Sequence, residues 1–235
     1  MPSAAAKYSK ETRRPIYSAA LTLPFFLVYH VGTIAPNTTY INGADALIIR
    51  ILSALSVHSI FASALVLVAC FIVWQIQTRA RWKMDSGKLA LLFLESLFYA
   101  LFLLYGFGWL LSNFNLAASA GIKDGQLARL VLYCGAGIYE ELIFRWLLLS
   151  LLLLLFTRII RANRTPALFF AALIGALIFA LFHYVGAGSD HFYLAGFTQR
   201  FLGGLYFSVL FLARGFGVAA VSHALYDVLL GLISP

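Results

Sequence analysis

Long apolar runs alternate with short polar ones along almost the whole chain. Apolar stretches occupy roughly 16–34, 46–74, 89–111, 127–156, 166–184, 195–213 and 216–234, and ~20 such residues suffice for a helix to cross a bilayer. The pattern predicts an all-α, polytopic transmembrane helix bundle of about seven spans. Six or eight are the neighbouring counts, because 46–74 is long enough to hold a bend or a re-entrant turn. The longest polar connections, about 75–88 and 112–126, are too short to bury a core outside the membrane. The leading segment MPSAAAKYSKETRRP is polar and basic, and no small-residue cleavage site follows it, so the first span is expected to be retained. No internal repeat is visible, and the Leu-rich run from Leu147 to Phe156 reads as lipid-facing composition.

Composition sharpens this picture. Of 235 residues, 62% are hydrophobic and 11% charged, with a mean hydropathy of +0.90, whereas soluble domains are about 45–50% apolar. A water-soluble domain is excluded. The net charge of +8 does not indicate nucleic acid, because the basic residues lie between apolar runs instead of clustering on a soluble face. They gather at Lys7, Lys10, Arg13 and Arg14, at Arg79, Arg81, Lys83 and Lys88, at Arg158, Arg161 and Arg164, and at Arg214. The intervening connections are poor in them, 112–126 holding only Lys123. This alternation places the N-terminus and the even-numbered loops in the cytoplasm and, for seven spans, the C-terminus outside. Cys70 and Cys134 sit within apolar runs without a CxxC pair, so neither a disulfide nor a cysteine metal site is expected.

Ionisable side chains inside apolar runs carry the functional signal, since each costs on the order of 2.5–3.5 kcal/mol at the bilayer centre. His30, Arg50, His58 and Glu95 are scattered singly through the first three spans. The later spans hold Glu140, Glu141 and Arg145, then His183, Arg200, and His223 with Asp227. Adjacent acids on a helix point about 100° apart and cannot share one partner equally. Glu141 and Arg145 have the favourable i, i+4 order for a pair. That leaves Glu140 as a candidate general base, its carboxyl in an apolar and partly wet setting. Phe179 with His183, and His223 with Asp227, repeat the i, i+4 spacing, so each pair shares one helix face. Each constellation alone is also what a polar lock between helices would show. Arg200, beside Gly203 and Gly204, either reaches the same cavity or snorkels to the interface.

Taken together, EExxxR at Glu140, Glu141 and Arg145, FxxxH at Phe179 and His183, and HxxxN/D at His223 and Asp227 resemble the CPBP intramembrane proteases. These comprise CAAX-processing and bacteriocin-processing enzymes and the type II CAAX prenyl endopeptidases. The resemblance covers about 127–234 and divides the chain into 1–126, a cytoplasmic tail with three variable spans, and 127–235, a catalytic helix bundle. It implies a glutamate-type hydrolase with no cofactor, in which Glu140 and His183 activate water and His223 with Asp227 forms or orients the oxyanion site. Glu141, Arg145, Phe179 and Arg200 are then supporting residues. Asp227 stands where many relatives carry Asn, and an ionised carboxylate cannot donate to an oxyanion. It must be protonated, or act by orienting His223. Zinc held by Glu140, His183 and His223 is the disfavoured rival, since no HExxH is present.

The expected substrate is a membrane-anchored or lipidated protein or peptide cut near its C-terminus or anchor, in what the compact build suggests is a bacterial cytoplasmic membrane. The alternative is a non-proteolytic bacteriocin-immunity protein or scaffold whose polar residues only lock helices. A proton-coupled transporter shares the buried acids but lacks a visible inverted repeat. On straight helices at ~1.5 Å per residue, His183 falls near the outer end of its span, Glu140 near the middle and His223 in the inner half, an expected mismatch in depth.

Overall fold

The computed structural model describes residues 3–34, 41–113 (side chains to 109), 125–185 and 191–233. The rest of the chain, including Lys123 and most of the connections read above as poor in basic residues, lies outside the described residues.

The described residues form helices joined by short turns, with no strand among them. A short α1 (Ala4–Thr12) starts at Ser3, whose hydroxyl accepts from the Ala6 N–H at 3.2 Å. It precedes α2 (Pro15–Thr33), which opens on Pro15, where a missing N–H costs nothing. The apolar stretch 46–74 is two helices, α3 (Gly43–Ala54) and α4 (Ala62–Gln77), instead of one. The polar group Ser53, Ser56, His58 and Ser59 interrupts it, and Ser56 takes a left-handed φ of 66°. Then come α5 (Ser86–Asn113), α6 (Gln126–Ile159), α7 (Arg164–Phe182), α8 (Leu194–Arg214) and α9 (Phe216–Ile233).

Five of these, α2, α5, α6, α7 and α9, are long and apolar enough to cross a membrane. The protein is an integral membrane helix bundle. α4 is apolar but only 16 residues long, while α8, read above as a span, has the length but carries Gln199 and Arg200 in its first half.

α9 is the centre of the bundle, packing on α2, α5, α6 and α8. Every residue from Phe216 to Ala224 is buried. Small residues permit this: a Cβ on Gly137 of α6 would lie 2.6 Å from Ala220 O and from Ala224 N, and one on Gly217 would lie 2.7 Å from Ser18 Cα. Such close approach is how helices associate where lipid removes the hydrophobic drive between them. The sharp turn between α8 and α9 is made by Gly215, whose φ of 87° suits only a residue without a side chain. Tyr17 and Leu21 of α2, Leu92, Ala100 and Leu103 of α5, and Phe207, Val218 and Val221 from the later helices share one core. Residues before and after 126 therefore pack as one body around α9.

Many basic helix ends meet at one end of the bundle. Arg214 donates to Glu95 through Nη2 at 2.7 Å and through Nε, and also to Ser9 Oγ at 2.7 Å and Thr12 Oγ1 at 3.3 Å. Tyr8 donates to the same Glu95 at 3.2 Å, and Arg13 donates to the Ala213 carbonyl at 3.3 Å. Lys88 and Arg14 both pair with Glu11, at 2.7 and 3.2 Å. α1 is thereby fastened across the ends of α5 and α8.

Candidate active site

The candidate site lies where α6, α7 and α9 converge, and its geometry starts in the backbone of α6. Over Ala136–Glu140 and again over Leu142–Leu149, α6 widens to the i→i+5 π form. Such segments occur often at functional sites because they re-aim side chains at a cost in regular hydrogen bonding. Glu140 ends the first widened segment, Arg145 lies in the second and Glu141 stands between the two, and all three are buried.

The expected difference in depth is overturned. Counted from the turn that α6 and α7 share, Glu140 lies 19 residues before the end of α6 at Ile159 and His183 lies 19 residues beyond Arg164, the start of the returning α7. Both are roughly 28 Å from the α6–α7 turn at ~1.5 Å per residue. The close crossing of α6 and α9 at Gly137 then brings His223 alongside.

Glu141 is fully buried, and its Oε1 receives both Arg145 Nη1 at 2.8 Å and His223 Nδ1 at 2.8 Å. The Arg145 contact is a close ion pair whose N–H is not aligned for a hydrogen bond, and Glu141 Oε2 has no hydrogen-bond partner among the described residues. Arg145 Nη2 donates to Gly204 O at 3.4 Å, and its guanidinium lies 4.3 Å from the centre of the Phe179 ring. Phe179 is thus a platform for the arginine as well as a neighbour of His183, whose ring is edge-on to it at 5.0 Å. Phe207 stacks on His223 at 4.5 Å and 17°.

His183 and His223 both turn Nε2 towards Glu140. The Nδ1–H of His183 donates to the Phe179 carbonyl at 2.9 Å, because a carbonyl can only accept. Its Nε2 lies 3.9 Å from Glu140 Oε2. His223 Nδ1–H is committed to Glu141, and its Nε2 lies 4.0 Å from the same Glu140 Oε2 and 3.5 Å from Asp227 Oδ2. Asp227 therefore lies on the Nε2 side of the His223 ring and Glu141 on its Nδ1 side. Arg200 stands at the margin: Nη1 donates to the Tyr184 hydroxyl at 2.8 Å, with the guanidinium 5.2 Å from that ring.

Sequence reasoning missed Asn42, which precedes α3 and donates from Nδ2 to Glu140 Oε1 at 3.1 Å. The pattern Asn-Gly-Ala-Asp does signal a helix start. A contact with a residue 98 positions away leaves no local trace. Among the described residues, no group of three or more His, Cys, Asp or Glu side chains is spaced to hold a metal ion.

An acid pair, an arginine and two histidines are thus gathered at the meeting of three helices within a membrane bundle. Residues 125–229 match the family model described as Type II CAAX prenyl endopeptidase Rce1-like. That match supports the CPBP/CAAX protease family for this segment and, at that general level, a CAAX-type intramembrane endopeptidase. The three motifs from Glu140 to Asp227 all fall inside it. No curated protein and no solved structure matches the chain.

Proposed function

We propose that the protein is a glutamate-type intramembrane endopeptidase in which Glu140 is the general base. The observation that carries this reading is the unclosed gap around Glu140 Oε2, 3.9 Å from His183 Nε2 and 4.0 Å from His223 Nε2. Neither distance is a hydrogen bond, and each is the span that one water bridges with two contacts of about 2.8 Å. With Nδ1–H tied to Phe179 O, a neutral His183 presents a lone pair at Nε2. A water between it and Glu140 donates to both and keeps its own lone pair for the substrate carbonyl carbon.

Attack transfers one water proton to Glu140 and places negative charge on the carbonyl oxygen. His223 is positioned to stabilise that charge: Nδ1–H is spent on Glu141, so in the imidazolium form Nε2–H is the donor for the oxyanion. Asp227 at 3.5 Å complements the ring's positive charge. Collapse breaks the C–N bond, and the proton on Glu140 passes to the leaving amine. Arg145 neutralises Glu141 and holds it between α6 and α8 through Gly204 O. These residues complete the chemistry without a metal.

The substrate is proposed to be a membrane-anchored or lipidated protein or peptide, cut near its C-terminus or anchor, and the setting a bacterial cytoplasmic membrane. The competing reading is an immunity protein or scaffold, and the tight Glu141–Arg145–His223 knot is what a helix lock would show. Glu140 separates the two, because a lock has no use for an acid held short of both imidazoles. The test is hydrolysis of a quenched fluorescent farnesylated CAAX peptide by protein reconstituted in liposomes. Wild type is expected to cleave with or without a chelator and Glu140→Gln to be inactive at equal folded level; equal cleavage by both would overturn the assignment.

A further inference from the structure

We infer that Asn42, from the part of the chain outside the family match, positions the carboxylate of Glu140 by holding Oε1 so that Oε2 faces the two histidines. The inference rests on Glu140 being the base.

The orientation of the Asn42 amide is fixed by its second task. It is the N-cap of α3, and its Oδ1 accepts from the Ala44 N–H at 2.8 Å. With the oxygen so committed, the NH2 group faces Glu140 and donates to Oε1 at 3.1 Å. The residue is itself anchored: its backbone N–H donates to Tyr29 Oη at 3.0 Å, and Tyr29 donates to buried Asp45 at 2.7 Å. Tyr29, Asn42 and Asp45 are all buried, and α3 packs directly against the widened turn that carries Glu140. Among the described residues no arginine or lysine pairs with Glu140 as Arg145 pairs with Glu141, and the hydrogen bond to its carboxylate comes from the Asn42 amide.

Capping and positioning can be separated. Ser and Asp cap helices as well as Asn does. A serine side chain in place of Asn42 would be too short to reach Glu140, and an aspartate would oppose it with an acceptor. Full-length protein in lipid nanodiscs, recorded by infrared difference spectroscopy as parent minus Glu140→Gln, isolates the Glu140 carboxyl bands without needing a substrate. The expected result is that these bands move in both Asn42→Ser and Asn42→Asp while helix content and melting are retained. With the farnesylated peptide, kcat is expected to fall about tenfold or more at unchanged KM, the cost of a misplaced base. Glu140 bands unmoved in both variants, or kcat within twofold of wild type in both, would overturn the inference. Undiminished turnover by Glu140→Gln would instead overturn the assignment of the base, with the infrared bands still reporting whether Asn42 holds the carboxylate.

Discussion

The bundle contains two clusters of charged residues at different levels, and they are built differently. At the basic end, Arg214 uses all three of its guanidinium nitrogens on Glu95, Ser9 and Thr12, and Tyr8 adds a further bond to Glu95. The charges there are closed upon one another. At the meeting of α6, α7 and α9, Glu141 Oε1 is held by Arg145 and His223, but Glu140 Oε2 stops 3.9 Å from His183 Nε2 and 4.0 Å from His223 Nε2. A closed cluster fastens helices, whereas groups held at 3.9 and 4.0 Å are spaced for one bridging water.

Breaking the open cluster should give the largest effect. Glu140→Gln is expected to lower turnover by about 10²–10⁴-fold while the melting temperature in detergent stays near wild type. Adding His183→Ala to it should cost little more, because residues that act on one water do not contribute independently. Turnover of the double variant far below that of either single one would separate their roles.

The junction between the helices comes next. A Cβ on Gly137 would press on Ala220 O and Ala224 N at 2.6 Å, so Gly137→Ala must push α6 from α9. A loss of about 1–3 kcal/mol is expected for the crowding, together with a fall in turnover of up to roughly 10²-fold as His223 moves off Glu140. Thermal melting and peptide hydrolysis measured on one preparation check both.

Breaking the closed cluster should affect stability alone. Arg214→Ala leaves Glu95 without its main partner and is expected to cost about 2 kcal/mol, or roughly 4–8 °C in melting temperature, with turnover per folded molecule unchanged. A turnover defect at equal folded level would show that the two clusters are coupled. The smallest effect belongs to the exposed rim. Lys88 beside Glu11 holds that carboxyl below its ordinary value of 4.5. A lowered carboxyl pKa stabilises the fold above its unfolded value and ceases to do so as pH falls through the folded one. Melting temperature should therefore drop slightly further below pH 4.5 in wild type than in Glu11→Gln.

The closed and open clusters also differ in how far they could be read from sequence. Helical spacing sufficed for Glu141 with Arg145 and for the shared faces of Phe179/His183 and His223/Asp227, because i, i+4 neighbours meet whatever the tertiary fold. The apolar periodicity likewise sufficed for a helical membrane bundle. What escaped was set by contacts between distant segments. The mismatch in depth came from placing Glu140 at the middle of a long fourth span, whereas counted from the α6–α7 turn Glu140 and His183 are equally far along their helices. The π widening of α6 has no simple sequence mark. The division at 126 hid Asn42, and nothing in a local reading shows that Glu95 of the third span meets Arg214. For Asp227, spacing showed the neighbour but not the nitrogen: it meets Nε2, while Glu141 takes Nδ1.

The most direct test of the central claim is a comparison of membrane-protein termini, by mass spectrometry, in cells carrying wild-type or Glu140→Gln protein at equal membrane levels. A pulse of growth in H2¹⁸O labels a fresh hydrolytic cut. The account predicts a new C-terminus bearing ¹⁸O in wild-type membranes and its absence from Glu140→Gln. The same labelled terminus in both would contradict it, as would identical termini with the cellular phenotype retained.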